Sequence, residues 1–141
     1  MMLVFNACGQ NKKSDMKTLV AYFSATGTTE AVAKDLAEVT GATLYEIKPE
    51  VKYTAADLDW TVKTSRSSVE MQDKNSRPAI VKDLEDADSY DVIFIATSGG
   101  SSIDKANKEF AAAYPKINWK AGKTLNNVTK AEIKTWAEGL K

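Results

Sequence analysis

KTLVAYFSATGTTEAVAKDLAEV, residues 17–39, is the stretch that decides the fold. It opens with an apolar run rich in Val, Leu and Tyr that reads as a strand. A loop of small and hydroxyl residues follows, Ser24-Ala25-Thr26-Gly27-Thr28-Thr29, and then an amphipathic helix in which Val32, Leu36 and Val39 recur at helical spacing. A loop of this composition at a helix start is suited to an anion, because unpaired backbone N–H groups and the positive end of the helix dipole converge there. Gly27 permits a tight turn, and the hydroxyls of Ser24, Thr26, Thr28 and Thr29 add donors. The plainer alternative is that Thr28 or Thr29 only caps the helix.

Composition narrows what such a loop can serve. The chain has 141 residues, 43% of them hydrophobic, which fits one globular domain with its own core. Nineteen basic and nineteen acidic residues cancel, so no net charge draws the chain to nucleic acid or to an anionic membrane. There is no His, and Cys8 is the single Cys, which excludes His-based triads, His metal sites and internal disulfides. Catalytic and metal-ligating residues are therefore not assigned, and any chemistry falls to a cofactor or to carboxylates. A P-loop would need a Lys after its glycine, and a phosphatase loop would need a Cys; both are lacking here.

Residues 1–16 stand apart as a tail before the domain of residues 17–141. Met1 to Ala7 are mostly apolar, and Asn6-Ala7-Cys8-Gly9 resembles a lipobox, with a polar tether to Asp15. This start is expected to place the protein on the periplasmic side of a membrane through a lipid on Cys8. The alternative is a disordered extension on a cytoplasmic protein.

Beyond the opening stretch, Gly41 supplies a helix stop and Ala42 to Ile47 reads as a second strand. Pro49 ends it and suits a sheet edge. Residues 50–78 read as loop with a possible helical turn at Ala55 to Trp60, pinned down by Tyr53 and Trp60. Ala79 to Ala87 is expected to be a short helix with Ile80, Leu84 and Ala87 on one face. Asp91-Val92-Ile93-Phe94-Ile95 has the continuous apolar character of a central parallel strand. A second Gly/Ser/Thr loop, Ala96 to Ser102, leads into a helix capped by Ser101 or Ser102, with Ile103, Ala106, Phe110 and Ala113 inward. Ile117 and Trp119 suggest a last strand, Gly122 begins another loop, and Thr129-Lys130-Ala131-Glu132 is a capping box before a helix with Ile133, Trp136, Ala137 and Leu140 on one stripe.

Strands alternating with helices imply an α/β fold: a three-layer, doubly wound parallel sheet, with ligands at the carboxyl ends of its strands. The first and third strands would be neighbours in a 2-1-3 order, so both Gly/Ser/Thr loops would flank the topological switch point.

YFSATGTTE after a strand, YDVIFI, TSGGSSID and the closing WKAGKTLNN together resemble a bacterial flavodoxin over Lys17 to Leu140. The resemblance implies a flavodoxin-like fold, FMN as cofactor, and one-electron shuttling to a redox protein partner. It implies that Ser24, Ala25, Thr26, Gly27, Thr28 and Thr29 hold the phosphate, and that Thr97, Ser98, Gly99, Gly100 and Ser101 sit beside the isoalloxazine. The pattern departs from the family at one place. Ile95 runs straight into Ala96, where the family has an aromatic loop, a helix and another strand. The sheet is accordingly expected to have four strands, one face short of a helix, and the ring site to lack its aromatic wall. An electron carrier is the first expectation. An FMN-dependent reductase of a small acceptor, and a protein that keeps the fold without redox activity, are the alternatives.

Overall fold

The computed structural model describes residues 16–97 and 103–140. Four parallel strands, β1 (Lys17–Tyr22), β2 (Thr43–Glu46), β3 (Tyr90–Ala96) and β4 (Asn118–Thr124), form one sheet in the order β2-β1-β3-β4. Leu19 pairs with Thr43 of β2 on one side and with Val92 of β3 on the other, so β1 lies next to the edge strand β2 and β3 next to β4. The helices are α1 (Thr28–Thr40), α2 (Arg66–Gln72), α3 (Asp104–Ala113) and α4 (Lys130–Glu138).

Alternation along the strands sorts the core into two faces. Val20 and Tyr22 of β1 and Ile93 and Ile95 of β3 point to one face, where Ala33 and Leu36 of α1 meet Ile133 and Ala137 of α4. Leu19, Ala21 and Val92 point to the other. There Phe110 of α3 stands edge-on to Phe94, 5.0 Å away at 74°, and stacks on Trp119, 5.5 Å away at 19°. The connections β1 to β2 and β3 to β4 run in opposite directions across the sheet. Right-handed crossovers therefore put α1 and α3 on opposite faces, which is the three-layer, doubly wound arrangement expected.

Helix ends follow their local chemistry. Gly41 closes α1 in the left-handed conformation, φ 69°, and the Thr129 box opens α4 with both of its reciprocal bonds formed. Neither Thr28 nor Thr29 caps α1: Gly27 holds the N-cap position at φ 90° without a side-chain bond. Ile103 takes the corresponding position before α3, while the expected caps Ser101 and Ser102 lie outside the described residues.

Several expectations fail in the long connection between β2 and β3. No helix forms over Ala79 to Ala87. Instead Val81 N–H donates to Lys48 O at 2.8 Å and Glu50 N–H to Ala79 O at 2.9 Å, a two-stranded antiparallel ribbon around the Pro49–Ile80 bridge. A nine-residue helix is marginal by itself, and pairing with the chain that leaves β2 wins. Only Ala87–Ser89 winds into a 3-10 turn. A helix forms at α2 instead, where Ser65 caps the end by accepting from Ser68 N–H and Arg66 bonds Glu70 one turn on, 2.8 Å away. Tyr53 is pinned as expected, but Trp60 is 83% exposed and holds nothing down.

Smaller corrections complete the picture. Ala113 is exposed rather than inward, because Phe110 already fills the contact with the sheet. Gly122 lies inside β4 rather than in a loop, at a bulge where Phe94, between Ile93 and Ile95, opposes the two residues between Lys120 and Lys123. A Cβ there would stand 2.4 Å from Phe94 O, so only glycine lets the strands approach this closely.

Candidate functional site

The loop between β1 and α1 leaves the sheet at its carboxyl edge, beside the end of β3. Ser24 Oγ accepts the Gly27 N–H at 3.0 Å, which folds the loop back under the start of α1. The first intrahelical bond is Ala31 N–H to Gly27 O at 3.1 Å, so the N–H groups of Thr28, Thr29 and Glu30 have no partner within the helix. Among the described residues, no atom beyond its chain neighbours lies within 4 Å of where a Gly27 Cβ would stand, so the demand for glycine is one of backbone angle.

An open cleft of about 680 Å³ lies on this edge. Thr26 and Thr28 form one wall, Asp35 and Val32 of α1 its floor, Thr97 the end of β3, and Leu125 to Val128 the far wall. The far wall follows from the β4 bulge: Leu125, itself buried, donates its N–H to Ala96 O at 2.9 Å and turns the next residues over the cleft. Asn127 holds a left-handed backbone, φ 49°, that completes the turn.

Thr97, directly after β3, is tied to α1 by a hydrogen bond. Thr29, buried, and Thr97 share a hydrogen bond between their hydroxyl oxygens at 2.7 Å. Thr29 and Thr97 are 68 residues apart, so this contact joins the two Gly/Ser/Thr loops directly. Ser98, Gly99, Gly100 and Ser101 lie outside the described residues.

The other expected residues divide between two sides of the loop. Thr26 and Thr28 face the large cleft, whereas Ser24 and Ala25 line a second groove of about 380 Å³ with Phe23, Pro49 and Tyr53. Phe23 stands edge-on to Tyr53, 5.8 Å between centroids, and the Arg66 guanidinium covers the Tyr53 ring at 3.9 Å. The Tyr53 hydroxyl donates to Glu70 at 2.5 Å; burial first, then this bond, raises the Tyr53 pKa, and the same bond lowers that of Glu70.

Electrostatically the large cleft is built from neutral donors. Among the described residues its lining contains no Lys or Arg and one carboxylate, Asp35. Lys34 is turned to Glu30 at 2.5 Å, and that bond raises its pKa. Tyr22, at the strand end below the loop, is held protonated by burial and then by Glu46 and Glu30. Among the described residues there is no cluster of metal-binding side chains and no helix long and apolar enough to cross a membrane.

The segment 125–128 and Asp35 were not foreseen. The general rule that ligands gather at the carboxyl ends of parallel strands applies to the fourth strand as well as the first and third, and Leu125-Asn126-Asn127 stands at that end.

The flavodoxin family model matches the chain over residues 17–97 and 95–140, two stretches that meet at the end of β3. No protein of curated function matches. Similar solved structures include two from Bacteroides. One, described as a candidate flavoprotein from Bacteroides uniformis, is 44% identical with a TM-score of 0.78, over 87% of this chain and 98% of that one. The other, described likewise and from Bacteroides eggerthii, is 39% identical with a TM-score of 0.76, over 89% of this chain and 98% of that one.

Proposed function

The chain belongs to the flavodoxin family, and on that premise we propose that it binds a flavin, FMN, by its phosphate in the Ser24–Thr29 loop and serves as an electron carrier for a redox protein partner. The observation that carries this reading is the loop itself: N–H groups at the start of α1 that have no partner within the helix, and hydroxyls from Thr26 and Thr28 on an open cleft, all at the carboxyl edge between β1 and β3. The similar structures described as flavoproteins support a flavin as the ligand.

The residues fit the phosphate end. A phosphate there would accept from backbone N–H groups aligned with the helix dipole and from hydroxyls, and it needs no cation in the loop. In this reading Leu125 to Val128 would line the cleft beyond the phosphate, and Asp35 would disfavour a second negative group beside it. FMN supplies the one-electron chemistry when bound. The chain's own part is to bind, orient and partly desolvate it. No described aromatic lines the large cleft, so its described walls supply anchoring without ring stacking.

Fluorescence titration of FMN with the purified protein is the test. Quenching that saturates is expected, with Gly27→Val weakening it at least tenfold, since φ 90° is a backbone conformation that Val resists. Colourless protein that leaves FMN fluorescence unchanged ends the flavin reading. The proposal also includes a lipid on Cys8 that holds the carrier at a membrane; labelling with a palmitate analogue that persists in Cys8→Ala removes that part.

A further inference from the structure

The groove on the β2 side of the β1–α1 loop is built around one aromatic ring. Tyr53 is held from three directions: Phe23 meets it at 66° with 5.8 Å between centroids, the Arg66 guanidinium lies 3.9 Å over the ring, and its hydroxyl donates to Glu70 at 2.5 Å. Arg66 is itself fixed by Glu70 at 2.8 Å and by Val51 O at 2.7 Å. The helix that carries Arg66 and Glu70, α2, buries no residue, so this network is not part of the core of the sheet. Its product is a fixed Tyr53 in the wall of a groove of about 380 Å³, where Phe23 and Val81 leave apolar surface open to solvent. An aromatic side chain held rigid beside open apolar surface is pre-organised for a ligand.

Charge and size select the occupant. Four charged side chains line the groove, two of each sign: Lys48 pairs with Glu46 at 3.3 Å, while neither Lys52 nor Glu50 has a side-chain partner among the described residues. The described lining is therefore neutral as a whole, with one free ammonium to donate a hydrogen bond and one free carboxylate to repel an acid. Two rings set at 66° form a corner in which a flat ring lies against one and meets the other edge-on. The volume is at the lower end for small-molecule pockets and admits one or two fused rings rather than a dinucleotide. We propose that the Phe23–Tyr53 groove binds a flat, uncharged bicyclic aromatic compound bearing a carbonyl, with the two rings as its walls and the Lys52 ammonium as donor to the carbonyl oxygen. This site lies across the β1–α1 loop from the large cleft and does not rest on a flavin occupying that cleft.

Equilibrium dialysis of coumarin against the full chain tests this, with thermal unfolding reporting whether each variant is folded. Saturable uptake of one molecule per chain is expected, and a ring-carboxylated coumarin, the same shape with a negative charge, is expected to bind roughly tenfold more weakly. Val81→Trp puts a large side chain into the groove from an exposed position, and Tyr53→Ala removes a wall; each is expected to weaken coumarin roughly tenfold. Lys52→Met is expected to weaken it several-fold, as loss of an exposed hydrogen bond from a charged group. Trp60→Ala, which removes an exposed ring outside the groove lining, leaves it unchanged. Wild type that takes up no coumarin overturns the proposal, as does uptake that never saturates or that falls equally in Trp60→Ala. Folded Val81→Trp that binds like wild type, or a carboxylated coumarin that binds as tightly as the parent, overturns it too. Saturating FMN should leave the coumarin affinity as it was; displacement by FMN would make the groove part of the flavin's own site, and the separate site fails.

Discussion

One face of the sheet is sealed by two helices, and the other by one helix and a long irregular connection. On the first, α1 and α4 close over Val20, Tyr22, Ile93 and Ile95 with fully buried Leu36 and Ile133 between them. On the second, the fully buried set shrinks to Leu19, Ala21 and Val92, and half-buried groups such as Leu84, Tyr90 and Trp119 finish the cover. A polar link does part of the work there: the Tyr45 hydroxyl donates to Lys82 O. Stability is thus concentrated on one side of a sheet whose binding edge is shared by both.

This contrast can be broken by mutation. Leu36→Ala should cost about 3 kcal/mol in denaturant unfolding, as for a large-to-small change at a closed core site. Leu84→Ala on the second face should cost about 1 kcal/mol, and equal losses would mean that the two faces are equally consolidated. Gly122→Ala probes the seam between β3 and β4, where the new Cβ would meet Phe94 O; a loss of about 2 kcal/mol is expected. Thr129→Ala, which removes the cap of α4, should cost about 1 kcal/mol.

The same cap predicts a pH dependence. Bonds from the Thr129 backbone N–H and then its hydroxyl hold the Glu132 carboxyl below its ordinary value of 4.5. A depressed acid favours the fold above its unfolded pKa and loses that contribution as pH falls through the folded one. Unfolding midpoints of wild type should therefore drop below pH 4.5, and the part of that drop due to the cap should vanish in Glu132→Gln. Smallest of all is Trp60→Ala: at 83% exposure it should change stability by less than about 0.5 kcal/mol.

The well-sealed face is also the legible one. Val32, Leu36 and Val39, and Ile133, Trp136, Ala137 and Leu140, repeat at helical spacing and occupy the positions that spacing implies. Strand order followed from the apolar run at 91–95 and the alternation of elements. The second face misled because its cover is decided by contacts distant in sequence. Ile80 and Leu84 have helical spacing, but the ribbon with Lys48 to Glu50 claims the backbone first. Ser65, Arg66 and Glu70 carry a cap and an i,i+4 pair, but α2 buries no apolar stripe that would mark a helix among its polar neighbours. At the site, the Ser24–Thr29 loop was readable from local composition. The Thr29–Thr97 bond was not, since the direction of a hydroxyl depends on where two separate loops are brought together.

The bulge at Gly122 has a consequence for how these molecules meet one another. An open parallel sheet presents two unpaired edges, each a template on which another chain can add a strand. Here β2 is four residues long and runs into Pro49 and the antiparallel ribbon, while β4 is distorted at Gly122 with Lys120 and Lys123 on either side of the irregularity. Neither edge offers a long, flat, uncharged row of backbone groups. Straightening β4, as any substitution that expels the bulge would do, should therefore be read out in light scattering as a tendency to self-associate.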